Sequence, residues 1–169
     1  KYLSPQVYQS IFSNEEADTT EHNRKNLTVF FSDIESFTDL SDTLEPEKLA
    51  RIINNYLSEM TTIAIECGGT IDKFIGDSVF AWWLGTSADV RAAALRCARG
   101  MVTSLEGLKG FEDGSCGVAL HVGSAAVGSL GRSTRTALGG AVNLTFRIEG
   151  LTRPLGCKLL VTSDSVSYT

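Results

Sequence analysis

An α+β domain built on one antiparallel-rich sheet is the fold class this sequence predicts, and three observations carry the prediction. Apolar runs rich in β-branched and aromatic residues, LTVFFSDI, TIDKFI, SVFAWWL and GVALHVGSAAVGSL, mark strands. Two long segments, EPEKLARIINNYLSEMTTIAIECGG and SADVRAAALRCARGMVTSLEGL, repeat apolar residues at helical spacing. Their order is β-α-β-β-α-β, with a central hairpin between well-separated helices. This is the ferredoxin-like arrangement, a sheet with helices on one face and the other face free for a ligand or partner.

The elements follow from local chemistry. Ser4-Pro5 opens a short amphipathic helix in KYLSPQVYQSIF, and the polar stretch SNEEADTTEHNRKN reads as an exposed linker. Residues 1–26 are therefore expected to join the domain to an upstream regulatory region, and residues 27–169 to form the domain itself. Leu27 to Phe31 is the first strand. Pro46 sits near the start of the first long helix, whose apolar face holds Leu49, Ile52, Ile53, Tyr56, Leu57, Met60, Ile63 and Ala64, and Gly68-Gly69 end it. Gly76-Asp77 reads as the tip of the hairpin. GVALHVGSAAVGSL is expected to form two short strands joined through glycine. TALGGAV is a glycine turn entering the helix that carries Asn143 and Arg147, and CKLLVTSDS supplies a last strand.

At 169 residues with 43% hydrophobic and 21% charged residues, the chain has the composition of one globular domain. A net charge of −5 argues against a nucleic-acid surface, which needs a basic face. No apolar run approaches the roughly 20 residues that span a bilayer, so no membrane contact by this domain and a cytoplasmic location are expected. The chain starts at Lys1 and is read as a piece of a longer protein, which leaves a membrane anchor elsewhere open. Cys67, Cys97, Cys116 and Cys157 lack close-pair spacing and have apolar neighbours, so they read as reduced core thiols. Two histidines, His22 and His121, are too few for a histidine-rich metal site. Neither a GxxxxGK loop nor a G-x-S-x-G elbow occurs.

The residues that can carry chemistry are few. Asp33 directly follows the first strand, where it reads equally as a helix N-cap; Asp77 alone reads as a turn residue. Together they differ, because the first strand and the hairpin are neighbours in a β-α-β-β sheet. Two carboxylates brought close repel unless a proton or divalent cation lies between them, and magnesium favours a few carboxylates plus substrate phosphates. Asn143 and Arg147, four apart on a helix, share one face. That face reads as solvent-exposed when taken by itself.

FFSDIESFT, KFIGDSVFA, GSAAVGSLG and TALGGAVNLTFRIEG, in this order over roughly Leu27 to Ser163, resemble the successive motifs of the class III adenylyl/guanylyl cyclase catalytic domain. The resemblance implies that Asp33 and Asp77 hold two divalent cations, Mg or Mn, with the Ile34 carbonyl on one of them. It implies that Lys73 and Thr136 read the base, that Asn143 positions the ribose, and that Arg147 stabilises charge on the reacting phosphate. The implied reaction is attack of the ribose 3′-hydroxyl of ATP on its α-phosphate, giving cyclic AMP and pyrophosphate. The implied assembly is a head-to-tail homodimer with shared sites, driven by an upstream sensor. Lys73 points to ATP, because guanylyl enzymes of the family usually carry Glu there. A guanylyl cyclase and a catalytically silent nucleotide-binding or dimerisation module are the alternatives. The chain departs from the family pattern at Ala141, Thr145 and Phe146, and it ends before the lysine that binds the triphosphate in family members.

Overall fold

The computed structural model describes residues 23–106, 115–129 and 135–165. The helix expected at Ser4-Pro5 lies outside them. In chain order the elements are β1 (Asn23–Ile34), α1 (Phe37–Thr43), α2 (Pro46–Glu66), β2 (Thr70–Ile75), β3 (Ser78–Leu84), α3 (Ala88–Glu106), β4 (Cys116–Ser129), β5 (Arg135–Leu138), α4 (Gly140–Glu149) and β6 (Leu159–Val161), followed by a 3₁₀ turn at Ser163–Ser165. Six strands form one sheet in the order β2-β3-β1-β4-β5, with β6 pairing parallel to the start of β4 and every other pair antiparallel. The β2-β3-β1-β4 core is the expected ferredoxin-like order.

On one face, α2 buries Ile52, Tyr56, Met60 and Ala64, and α3 buries Ala94, Cys97, Ala98, Met101 and Leu105. They pack on Phe30, Val79, Ala81, Trp83, Val118 and Leu120 from the sheet. Each large apolar side chain buried in this way contributes about 1.5–3 kcal/mol, the dominant favourable term in the fold. The expectation of helices on one face describes α2 and α3. The other face carries its own core of Leu27, Val29, Phe31, Phe80, Trp82, Ala125, Val127 and Ala137, which α4 covers through Val142. Phe146 seals this contact, its ring 4.2 Å from that of Phe31 and 5.4 Å from that of Phe80. Hence a bulky residue stands between Asn143 and Arg147. Burial on both faces also explains why LTVFF is a continuous apolar run instead of alternating.

Two expectations for the strands change. The segment GVALHVGSAAVGSL is one continuous strand, not two. Gly123 does not break it, because a Cβ there would stand 2.7 Å from the Ala141 Cβ. The missing side chain lets α4 lie close against the sheet. The first strand also begins at Asn23, four residues earlier than expected, because exposed NRKN pairs in register with Ser124 to Val127. Polar composition concealed it. All four cysteines are free, and burial pushes the Cys97 and Cys116 thiols up to about 12, as suits inert core thiols.

Candidate active site

The hairpin reading of the glycine-aspartate pair holds. Gly76 takes φ 62°, a left-handed conformation that glycine adopts without steric cost, and the turn places Asp77 immediately before β3. Because β3 pairs with β1 from Ser32↔Val79 onward, the turn lies beside the end of β1. Asp33 and Asp77 therefore meet. Asp33 is fully buried and Asp77 nearly so. The Ile34 N–H donates to Asp77 Oδ2 at 3.0 Å, and the Ser78 hydroxyl donates to Asp33 Oδ1 at 2.7 Å. Asp33 is accordingly not a helix N-cap; Ser36, in the left-handed region at φ 56°, precedes α1.

Burial, together with the hydrogen bond and negative charge of Asp33, raises the Asp77 carboxyl to about 7. A group in that position is relieved by a proton or by a cation. The structure already directs one cation there: the Arg153 guanidinium lies 3.2 Å from both Asp33 Oδ2 and the Ile34 carbonyl oxygen. Ile34, Ser36, Phe37, Thr38, Asp77 and Arg153 line an adjoining cleft of about 290 Å³. Two carboxylates and a main-chain carbonyl fit divalent cations that take their remaining ligands from phosphates and water. Among the described residues no cluster of three or more acidic, cysteine or histidine side chains offers a complete protein cage.

A second constellation lies elsewhere on the sheet. Thr136, at the start of β5, donates its hydroxyl to Asp72 Oδ1 at 2.7 Å. The Lys73 ammonium pairs with the same oxygen at 3.4 Å. Lys73 and Thr136, 63 residues apart, are thus brought together by one buried carboxylate. Lys73 is not the partner of Asp77, despite their proximity in sequence.

Asn143 and Arg147 both lie on α4. Arg147 is exposed. The Asn143 side-chain oxygen is buried and has no hydrogen-bond partner among the described residues. Such an atom costs about 1–3 kcal/mol, and a ligand that donates to it recovers that cost.

Sequence reasoning missed Asp72, Ser78 and Arg153. Asp72 had a visible signal, a carboxylate inside the apolar strand TIDKFI. Arg153 had none, since it meets Asp33 across 120 positions of chain.

The fold and this pairing of carboxylates define a nucleotide cyclase catalytic domain. The chain belongs to the family described as Adenylate and Guanylate cyclase catalytic domain, whose pattern matches residues 19–167. It is 35% identical over 155 residues to an adenylate cyclase of Anabaena cylindrica, covering 84% of this chain and 30% of that protein. An adenylate cyclase of Rhizobium meliloti is 34% identical, with 85% of this chain and 23% of that protein covered. Among solved structures, the adenylyl cyclase CyaB of P. aeruginosa superposes with a TM-score of 0.76 at 34% identity, over 86% of this chain and 81% of that one. The chain thus spans under a third of the length of these curated relatives.

Proposed function

We propose that this chain converts ATP to cyclic AMP and pyrophosphate as the catalytic domain of an adenylyl cyclase, working as a homodimer within a longer signalling protein. The observation that carries the reading is the convergence of buried Asp33 and Asp77 with the Ile34 carbonyl beside an open cleft. In this reading Asp33, Asp77 and the Ile34 carbonyl hold two magnesium or manganese ions. When bound, these ions lower the pKa of the attacking 3′-hydroxyl and offset charge on the phosphate oxygens.

The chain's own groups do the positioning. Lys73 donates to the adenine ring, Thr136 accepts from it, and the unpaired Asn143 oxygen accepts from the ribose. Arg147, a permanent cation with a forked donor set, meets the charge that builds on the α-phosphate. The work is alignment and electrostatics, as phosphoryl chemistry generally requires. Support for a dimer comes from exposed apolar residues on and after α4, Leu144, Leu151 and Leu155, together with Phe74 on β2.

The test is an assay of the intact protein with ATP or GTP and magnesium or manganese. Cyclic AMP is the expected product, and no cyclic nucleotide from either substrate at high protein concentration would overturn the reading. Shared sites predict that Asp33→Ala protein mixed with Arg147→Ala protein regains activity through one intact site. No recovery from demonstrated heterodimers would remove the dimer claim.

A further inference from the structure

Asp72 occupies an unusual position in the sheet. Ile71 pairs with Ala81 and Lys73 with Phe80, so Asp72 is the extra residue of a β-bulge in β2. Bulges re-aim side chains out of the ladder. Here the bulge turns a carboxylate with a fully buried side chain toward β5, at the opposite end of the strand order. Its Oδ2 accepts from the Trp82 indole N–H at 2.9 Å and from the Ala137 backbone N–H at 2.8 Å. Among the described residues its Oδ1 meets the Thr136 hydroxyl and the Lys73 ammonium.

A carboxylate in these surroundings is an acceptor only, so the Thr136 proton must point at it. At 2.7 Å this is a short, charge-assisted hydrogen bond. A threonine hydroxyl is normally free to donate or accept. This one has its proton committed and can offer a ligand only a lone pair. The ammonium beside it can only donate.

We propose that Asp72 sets the purine selectivity of the base site by fixing Thr136 as an acceptor beside the donor Lys73. The inference rests on the cyclase reading above. An acceptor next to a donor matches the 6-amino group and N1 of adenine. It opposes the O6 and N1–H of guanine, where both contacts become repulsive. Asp72 does not touch the base; it is a positioning residue that decides which way a hydroxyl points.

Two measurements test this. On the unaltered protein, purine riboside triphosphate, which lacks the 6-amino group, should show a kcat/KM roughly tenfold below that of ATP, the value of one hydrogen bond. Equal use of the two would overturn the proposal. The second measurement uses Asp72→Asn. Two N–H donors at Oδ2 require the amide oxygen there, so the amide NH₂ faces Thr136 and turns its hydroxyl outward as a donor. The ratio of kcat/KM for ATP to that for GTP should fall roughly tenfold. In a Thr136→Val background the same substitution should move the ratio by clearly less, what remains being the part carried through Lys73, which also loses its partner oxygen. A clip that merely tied β2 to β5 would lower stability without moving the ratio, and that result in folded Asp72→Asn protein would also sink the proposal. Should Asp72→Asn fail to fold, equal use of purine riboside triphosphate and ATP would still overturn the proposal. Failure of the unaltered protein to cyclise any nucleotide would instead remove the cyclase reading beneath it.

Discussion

Two buried carboxylate sites lie in one sheet, and they are built on opposite principles. Asp72 is completed by the protein: two N–H groups, a hydroxyl and an ammonium meet its two oxygens. Asp33 and Asp77 face one another with too little positive charge between them, and the Asp77 carboxyl is raised to about 7 as a result. The first site is finished before any ligand arrives. The second holds like charges whose repulsion a bound cation would relieve. A fold tolerates such stored conflict because the surrounding elements fix it, and conflict of this kind concentrates where chemistry occurs.

The largest expected effect comes from Asp77→Asn, which acts oppositely on activity and stability. Removing a ligand from the proposed cation seat should reduce turnover by roughly a hundredfold or more. Without divalent cations the variant should be the more stable protein above pH 7. The sign follows from linkage. Asp77 titrates near 3.8 when unfolded and about 7 when folded. The folded state therefore binds the extra proton between those values. The stability this contributes is complete below about pH 4 and is lost as pH rises through 7. Thermal unfolding of metal-free protein should show Asp77→Asn gaining on the native sequence across that window, and magnesium should reverse the order above it. A variant less stable than the native protein at pH 8 without metal would remove the claim of conflict.

Asp72→Ala should give the contrasting result. It strands the Trp82 and Ala137 N–H groups and the Thr136 hydroxyl, a loss of roughly 3 kcal/mol or more. Unfolding temperature should drop by about 6–12 °C. Magnesium should raise the unfolding temperatures of this variant and of the native protein alike and leave the gap between them, because nothing at this site awaits a cation. A gap that closes with metal would mean that the two sites are not independent.

How much of this the sequence disclosed depends on range. Asp33, Asp77, Asn143 and Arg147 stand at strand or helix positions that periodicity and turn chemistry locate, and the β-α-β-β order already made the two aspartates neighbours. The resemblance already paired Lys73 with Thr136, but the part Asp72 plays in joining them was hidden because it depends on a one-residue bulge, and no alternation pattern announces where a ladder slips. Gly123 misled for a related reason: a glycine in a strand signals either a break or a close approach, and only the position of Ala141 distinguishes them. Phe146 departed from the family pattern without apparent purpose until its rings' neighbours, Phe31 and Phe80, were placed.

The smallest effect concerns Arg153, which sharpens the comparison because it shows the unfinished site borrowing a charge. Its guanidinium reaches Asp33 and the Ile34 carbonyl, the same oxygens proposed to hold a cation. Its side chain is 44% exposed, so solvent screens the pair and it contributes at most about 1 kcal/mol. Cations entering the site must displace it. Arg153→Gln should therefore lower the magnesium concentration for half-maximal activity by about two- to fivefold, while slightly lowering the stability of metal-free protein. A magnesium titration of activity, paired with unfolding in the absence of metal, separates the possibilities. An increased magnesium requirement would show that Arg153 assists the bound state, for example by meeting a substrate phosphate, and does not compete with the metal. In that case Asp33 would be a finished site of its own, and the contrast with Asp72 would rest on Asp77 alone.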